Sequence, residues 1–324
     1  MWKKIKTNWP AFLLFVLAFA VITSWIFQSS RHSDFYSQAD SSWHAPSYYL
    51  DPIKDEHSRE LVLYGEELIA HTSKYLGPNG TVQQISNGMN CQNCHLDAGK
   101  RVDGNNYAAV AATYPRFRAR SGNMESIYKR VSDCFERSLN GHAPDSNSRE
   151  FLAIEAYIKW VGKDVIKNEH PRGSGIKVPA ILARAADPVR GKKIYTTSCE
   201  RCHGSNGEGQ INPENTGYSY PPLWGNHSYN TGAGLYRLSN FAGFVQSNMP
   251  FNEVTHNTHL TNEEAWDLAA YVNSQPRPVF KERYDWPDIS TKPFDHPFGP
   301  YADGFSEQQH KYGPFLPIIQ AKKQ

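Results

Sequence analysis

Two Cys-x-x-Cys-His motifs constrain this chain more than any other feature of its sequence. They occupy residues 91–95 and 199–203 and contain four of the five cysteines. In each motif two thiols can form thioethers with the vinyl groups of a haem while the adjacent imidazole binds the iron. The sequence therefore predicts two covalently bound haem c groups, attached through Cys91, Cys94, Cys199 and Cys202, with His95 and His203 as proximal iron ligands.

Two other chemistries use part of this pattern. A thioredoxin-like redox site needs a Cys-x-x-Cys pair, but neither the following histidine nor a second copy of the pair. A zinc site would need further cysteine or histidine ligands beside each pair, and none is evident in the sequence. Haem attachment is the favoured interpretation, with the thioredoxin-like site as its main competitor and zinc as a further alternative.

The segments around the two motifs also repeat. A helix-compatible segment opens at Gly191 and runs into the second motif, and a comparable segment opens at Gly65, separated from the first motif by a longer insertion. An amphipathic segment follows each motif, at residues 151–160 and 266–272. Both halves resemble small cytochrome c domains, in which an early and a late helix cross beside the haem.

Each half also offers a candidate for the distal iron ligand. Met249 follows the second motif and precedes its late helix, where mono-haem cytochromes c place their axial methionine. No methionine occupies the matching place in the first half, but Cys134 does. A small buried hydrophobic residue is the alternative for a free cysteine of this kind.

The neighbours of Cys134 favour a functional cysteine. A helix predicted between an N-cap at Asn123 and a stop at residues 140–141 places Arg130 and Ser138 on the stripe of Cys134. The adjacent stripe, predicted to face the core, consists of Ile127, Val131 and Phe135. Nearby cations favour the thiolate, which is the form that binds iron and acts as a nucleophile.

The chain resembles the dihaem thiosulfate dehydrogenases, which also act as tetrathionate reductases. The resemblance extends from roughly residue 50 to the end of the chain. Besides the two haem motifs it rests on residues 114–122, on residues 130–141 around Cys134, and on the tail segments 292–301 and 309–315. Ordinary dihaem electron carriers lack the segment around the fifth cysteine.

The resemblance implies that the first haem is the active site and that the second exchanges electrons with a small redox protein such as a cytochrome c. The implied iron ligands are His95 and Cys134 for the first haem, and His203 and Met249 for the second. The implied catalytic residues are Cys134, Arg120, Arg130 and Ser138, with Arg118 and Arg137 as further candidates. Some members carry a lysine before the distal methionine, but Asn248 stands here, which argues against Lys/Met exchange at the second iron.

The implied substrates are thiosulfate and tetrathionate, and their chemistry agrees with a cationic site. Two thiosulfate dianions about 4 Å apart repel each other by roughly 16 kcal/mol at an effective dielectric constant of about 20. Guanidinium groups can offset that repulsion and bind sulfonate oxygens. In the hypothesis, Cys134 bonds transiently to the outer sulfur of one thiosulfate, and the second thiosulfate releases tetrathionate as two electrons leave. A membrane-tethered dihaem electron carrier without its own substrate is the alternative, and a dihaem peroxidase ranks third.

The N-terminus predicts export from the cytoplasm. Lysines precede an uncharged run at residues 11–27, which would span roughly 25 Å as a helix, slightly less than the roughly 30 Å hydrocarbon core. No small-x-small cleavage site follows the run. We therefore expect a periplasmic protein anchored to the cytoplasmic membrane, with a cleaved signal and a soluble periplasmic protein as the alternative. The net charge of +2 gives no indication of a nucleic-acid partner.

Together these features predict a mostly α fold of two tandem cytochrome c domains, with an N-terminal signal or anchor and a wrapping C-terminal tail. The predicted segments are a signal or anchor at residues 1–27, a linker at 28–49, the first cytochrome c domain with the active-site haem at 50–166, a linker at 167–185, the second domain with the electron-transfer haem at 186–276, and the tail at 277–324.

Overall fold

Helices dominate the computed structural model, which describes residues 43–253 and 259–323. The α-helices are α1 (Glu56–Ala70), α2 (Thr72–Leu76), α3 (Leu96–Gly99), α4 (Val110–Thr113), α5 (Ile127–Arg137), α6 (Arg149–Val161), α7 (Pro188–Ser198), α8 (Glu200–His203), α9 (Leu238–Asn248), α10 (Asn262–Ser274), α11 (Glu307–Tyr312) and α12 (Leu316–Ala321). Short 3₁₀ turns occupy Cys91–Asn93, Gly234–Tyr236 and Ile289–Thr291. The strands β1 (Arg116–Arg118), β2 (Asn123–Glu125), β3 (Gln210–Ile211) and β4 (Tyr218–Tyr220) form two antiparallel pairs, β1–β2 and β3–β4.

The predicted N-terminal anchor at residues 1–27 lies outside the described part of the chain, as does most of the linker at 28–49. Within residues 43–253 and 259–323, no helix has the length and apolar character needed to cross a membrane.

In each half of the chain an early helix crosses a late helix at a glycine. In the first half α1 packs against α6, and a Cβ atom on Gly65 would lie 2.0 Å from the backbone oxygen of Ala153. In the second half α7 packs against α10, and a Cβ atom on Gly191 would lie 1.9 Å from the backbone oxygen of Asp267. Because glycine has no Cβ, the two backbones can approach this closely. The internal repeat in the sequence is therefore also a repeat in packing.

The prediction that these early helices open at Gly65 and Gly191 was wrong. Helix α1 begins at Glu56, where the side chain of Asp55 caps it, and α7 begins at Pro188, where Asp187 caps it. Aspartate favours the N-cap because its carboxylate accepts hydrogen bonds from the free N–H groups of the first turn. The two glycines lie inside the helices because the crossing, rather than the helix start, requires them.

The predicted start of the helix that carries Cys134 also needs correction. Asn123 begins strand β2, and the N-cap of α5 is Ser126, whose hydroxyl accepts a hydrogen bond from the N–H of Lys129. The β1–β2 hairpin uses the residues that the pattern assigned to the first turn of the helix. The predicted stop is close to the observed end, because the N–H of Gly141 bonds to the carbonyl of Phe135.

After α10, the chain packs aromatic side chains onto the second half. The ring of Phe315 lies 5.4 Å from that of Trp266 in α10 and 5.2 Å from that of Phe294. His310 is buried, with one ring nitrogen 2.9 Å from the carbonyl oxygen of Phe294 and the other 2.9 Å from a carboxylate oxygen of Asp303. These contacts pack the C-terminal segment against the second half of the chain.

Candidate haem and substrate site

The first haem motif presents an oriented imidazole next to two cysteines. Nδ1 of His95 lies 2.5 Å from the carbonyl oxygen of Asn105, so this nitrogen donates and Nε2 is left for a metal. Burial lowers the pKa of His95 to about 4, which keeps the ring neutral, as an iron ligand must be. No disulfide joins Cys91 to Cys94. The residues of the first motif therefore fit a covalently attached haem.

Cys134 lies on α5 with a guanidinium one helical turn before it. Nη1 of Arg130 donates to Sγ of Cys134 over 3.2 Å, and the charge of Cys134 is the largest influence that raises the pKa of Arg130. The same charge adds to the effect of burial on the pKa values of Cys91 and Cys94. The predicted pairing of Cys134 with a cation is therefore present, within electrostatic reach of the first haem motif.

The predicted core stripe of α5 is buried as expected. Ile127, Val131 and Phe135 are at most 9% exposed, whereas Cys134 on the next stripe is partly exposed. The amphipathic pattern thus turns the stripe that carries Arg130 and Cys134 away from the core.

Arg120 follows strand β1 and reaches towards the second half of the chain. Its Nη1 lies 3.5 Å from the carbonyl oxygen of Gly232, its guanidinium lies 5.7 Å from the ring centre of Trp286, and its Nε is buried without a hydrogen-bond partner. Burial, together with the charges of Arg137 and Arg130, lowers the pKa of Arg120 to about 10 against the opposing charge of Asp285. Arg120 lines a small pocket together with Glu282 and His296. Within residues 43–253 and 259–323 its Nε has no hydrogen-bond partner, and the charges of Arg137, Asp285 and Arg130 all lie within electrostatic reach.

Ser138 and Arg137, two further predicted residues, differ in their surroundings. Ser138 caps the end of α5, and its N–H donates to the carbonyl of Cys134 over 2.8 Å. Arg137 instead pairs with Asp285 through two hydrogen bonds of 2.7 and 2.9 Å. The charge of Arg137 is therefore already balanced by the protein, which makes it a weaker candidate for substrate binding than Arg130.

The second haem motif repeats the orientation of the first. Nδ1 of His203 donates to the carbonyl oxygen of Pro221 over 2.8 Å, and burial lowers the pKa of His203. No disulfide joins Cys199 to Cys202. Met249 directly follows α9 and packs, partly buried, against the hydrophobic core. These residues also fit a covalently attached haem.

Several residues that position the site were missed from the sequence. The carbonyl groups of Asn105 and Pro221 orient the two proximal histidines, but a backbone acceptor leaves little trace in the sequence. Asp285, the partner of Arg137, lies 148 positions away along the chain. A sequence signal was available for Asn105, because asparagine after the Asp103-Gly104 pair is typical of a tight turn. In the structure Asn105 has a left-handed φ of 59°.

Comparisons with known proteins identify a cytochrome c domain in each half of the chain. Residues 188–276 match the cytochrome c family, and residues 81–165 match the cytochrome c domain of the SoxA/TsdA family. The thiosulfate dehydrogenase of Psychrobacter arcticus is 37% identical over 238 residues, which cover 73% of this chain and 69% of that protein. The chain belongs to the thiosulfate dehydrogenase family. This assignment confirms the resemblance inferred from the motifs.

Other members of the family support the same assignment. The thiosulfate dehydrogenase of Allochromatium vinosum is 35% identical over 222 residues, which cover 67% of this chain and 80% of that protein. The structure of the thiosulfate dehydrogenase TsdBA from Marichromatium purpuratum matches with a TM-score of 0.67 and 32% identity. That match covers 74% of this chain and 50% of the other, so this chain spans half the length of the TsdBA chain. The chain has two cytochrome c domains, and the prediction of two covalent haem c groups is confirmed.

Proposed function

We propose that this chain interconverts two thiosulfate ions and one tetrathionate ion, with Cys134 as the sulfur that bonds to the substrate. The observation that carries the proposal is the 3.2 Å contact between Nη1 of Arg130 and Sγ of Cys134. It lies within residues 81–165, which match the SoxA/TsdA cytochrome c domain. A carrier without a substrate would have no use for a cation held against a cysteine in this position.

The residues around Cys134 can assemble two dianions. Arg130 stabilises the thiolate and can donate to a sulfonate oxygen with its other N–H groups. Arg120 offers a buried donor without a partner, and Ser138 adds a neutral hydroxyl at the end of the same helix. Because these donors are fixed in place by the fold, they stabilise negative charge without reorganisation.

The reaction then proceeds in two balanced steps. The Cys134 thiolate bonds to the outer sulfur of one thiosulfate, forming a cysteine S-thiosulfonate as two electrons leave. The outer sulfur of the second thiosulfate then attacks the adduct at the sulfur that lies between Sγ of Cys134 and the sulfonate group. This attack forms the central sulfur–sulfur bond of tetrathionate and releases the Cys134 thiolate. In the reverse direction, the thiolate attacks tetrathionate and the same bonds break and form in the opposite order.

The iron ligands are part of this proposal. His95 and Cys134 would hold the iron of the first haem, and His203 and Met249 that of the second. Each haem, when bound, can accept or donate one electron. The electron donor or acceptor beyond the chain is a small redox protein such as a cytochrome c.

We further propose that the protein works in the periplasm, anchored to the cytoplasmic membrane by residues 11–27. The uncharged run behind the N-terminal lysines supports this placement. The segment boundaries at residues 27, 49, 166, 185 and 276 belong to the same proposal, with the first domain as the active site and the last segment as a wrapping tail.

The experiment is a turnover assay of the purified dihaem protein in both directions. Thiosulfate is supplied with an artificial one-electron acceptor, and tetrathionate with a reduced one-electron donor. The proposal predicts that thiosulfate yields tetrathionate and that tetrathionate yields thiosulfate. In both directions two electrons should be transferred per tetrathionate. The absence of turnover in both directions, by protein that carries both haems and exchanges electrons with the mediators, would instead favour the electron carrier.

A further inference from the structure

Two nitrogens of the Arg277 guanidinium are buried and form no well-aligned hydrogen bond within residues 43–253 and 259–323, although the guanidinium lies near Tyr229 and lowers the pKa of that tyrosine against the larger effect of burial. Its Nη2 donates to the carbonyl oxygen of Val272 over 2.6 Å, but Nε and Nη1 are both buried without a partner. A buried charged donor without a partner costs more than a neutral one, so such groups are usually paired with an anion. No carboxylate in residues 43–253 and 259–323 accepts a hydrogen bond from Nε or Nη1 of Arg277.

The guanidinium of Arg277 is held firmly in place. The carbonyl of the preceding Pro276 accepts the N–H of Gly225 over 2.8 Å, and the carbonyl of the following Pro278 accepts the N–H of Thr231 over 3.0 Å. The backbone on both sides of Arg277 is therefore bonded to the loop at residues 225–231. The hydrogen bond from Nη2 to the carbonyl of Val272 holds the guanidinium itself, over the ring of Tyr229.

The surroundings of Arg277 are aromatic and cationic. Its guanidinium lies 4.3 Å from the ring centre of Tyr229 and 5.2 Å from that of Tyr236. Lys311 is a second cation within electrostatic reach, since its pKa is lowered by burial, raised by Glu307 and lowered by the charge of Arg277. The two rings and the free donors of Arg277 therefore suit an anion that also has a flat apolar body.

The loop beside Arg277 touches the elements of both haem sites. The hydroxyl of Tyr229 donates to Oδ1 of Asn273 in α10, the late helix of the second domain. The adjacent Asn230 contacts the first domain instead. Its N–H donates to the carbonyl of Arg137 and its side-chain amide donates to the carbonyl of Glu136, both in α5. Arg277 thus lies where the helix that carries Cys134 meets the second cytochrome c domain.

We propose that Arg277 donates through Nε and Nη1 to a propionate carboxylate of one of the two haems, and thereby sets the reduction potential of that haem. A propionate is a carboxylate on a flat apolar macrocycle. The carboxylate matches the free donors of Arg277, and the macrocycle matches the rings of Tyr229 and Tyr236. A guanidinium binds a carboxylate through two parallel hydrogen bonds. The inference rests on the two bound haems and is independent of the proposed reaction.

The charge of Arg277 should favour the reduced haem, because the reduced form carries one positive charge less than the oxidised form. Replacement by the neutral Gln should therefore lower the midpoint potential of the haem whose propionate it binds. In a pocket shielded from water we expect about a tenfold change in the reduction equilibrium, equivalent to about 59 mV for one electron. Arg277→Lys keeps the charge but loses the paired donors, so its potential should fall by less.

The test is a spectroelectrochemical titration of both haems in the wild type, Arg277→Gln and Arg277→Lys, each as the dihaem protein. A shift confined to the first haem or to the second supports the proposal and assigns the propionate. Arg184→Gln is the matched control, because Arg184 already pairs with Asp267 and Glu263. It should destabilise the fold and leave both potentials unchanged.

A second measurement covers the case in which Arg277→Gln does not fold. The propionate bending band in the resonance Raman spectrum reports hydrogen bonding at that carboxylate, and it should shift between the wild type and Arg277→Lys. Unchanged potentials of both haems in Arg277→Gln, or an unchanged band in Arg277→Lys, would overturn the proposal.

Discussion

At the scale of single residues, the candidate site depends on charges that are held close together and only partly balanced. Arg137 has its own carboxylate in Asp285, whereas Arg130 faces a sulfur and Arg120 has a buried Nε without a partner. Because Arg137 is already neutralised, anions that enter the site should be attracted mainly by the other two arginines. This difference separates residues that build the site from residues that bind in it.

Replacing Arg130 should impair catalysis more than folding. Arg130→Gln removes the cation beside Cys134, and we expect roughly a hundredfold loss of kcat/KM for thiosulfate, about 2.7 kcal/mol, as for the loss of one preorganised donor. Arg130→Lys keeps the charge without the forked donors and should lose less. The check is steady-state kinetics on protein with both haems, with Arg59→Gln on the exposed face of α1 as the control. Equal kcat/KM in Arg130→Gln and wild type would contradict this role.

The sequence predicted the identity of these residues better than their partners. The stripe of Arg130 and Cys134 follows from helical spacing, which is a local property, and the structure shows the contact. The pairing of Arg137 with Asp285 depends on the path of the whole chain and has no local signal. The donors of Arg277 could not be anticipated for the same reason, since its neighbours come from three separate segments.

At the scale of elements, the two helix crossings define the two domains. The repeat of glycine in the early helix and tyrosine in the late helix was visible in the sequence because it recurs, and Cβ atoms of Tyr157 and Tyr271 lie against the two glycines. The helix starts were misplaced because a glycine at a crossing resembles a glycine at a helix boundary. The hairpin before α5 was missed because its strands have only three residues each.

Adding a methyl group at either crossing should destabilise the domain that contains it. Gly65→Ala and Gly191→Ala place a Cβ atom 2.0 and 1.9 Å from a backbone oxygen of the opposing helix, so the helices must separate. We expect a loss of about 3 kcal/mol in the free energy of unfolding for each, at the upper end of overpacking effects. Thermal unfolding followed at the haem absorbance checks this.

The control for the crossings is Gly234→Ala, an exposed glycine with no atom within 4 Å of the added methyl group. Its melting temperature should stay close to that of the wild type. If Gly65→Ala and Gly191→Ala were also unchanged, the two crossings would be looser than described here.

At the scale of the whole molecule, the C-terminal segment completes the site in the first half. Asp285 pairs with Arg137 on the helix of Cys134, and the N–H of Trp286 donates to the carbonyl of Arg120 over 2.6 Å. Two residues of the candidate site are therefore held by neighbours that come after the second cytochrome c domain. The sequence placed this segment near the domains through its aromatic content, but it gave no indication of these contacts.

Breaking the ion pair between Arg137 and Asp285 should destabilise both α5 and the C-terminal segment. The side chains of Arg137 and Asp285 are 7% and 10% exposed, and removal of one partner from such a buried pair typically costs 3–5 kcal/mol, so Asp285→Asn should lower the free energy of unfolding by about 3 kcal/mol. Its activity should fall as well, since α5 loses a support. Asp288→Asn, an exposed position nearby that keeps its capping role, is the control and should change neither property. Denaturant unfolding with parallel turnover measurements checks both, and wild-type stability in Asp285→Asn would show that the pair is dispensable.

The central claim is that Cys134 bonds to the substrate, and turnover by Cys134→Met tests it most directly. A thioether can bind iron as a neutral ligand but cannot act as a thiolate nucleophile, whereas Cys134→Gly removes both properties. Both variants should keep two haems, since attachment uses the other four cysteines, Cys91, Cys94, Cys199 and Cys202. The proposed mechanism predicts that neither variant forms tetrathionate from thiosulfate or reverses the reaction, even where methionine restores a six-coordinate first haem. Wild-type turnover of thiosulfate by Cys134→Met would contradict it.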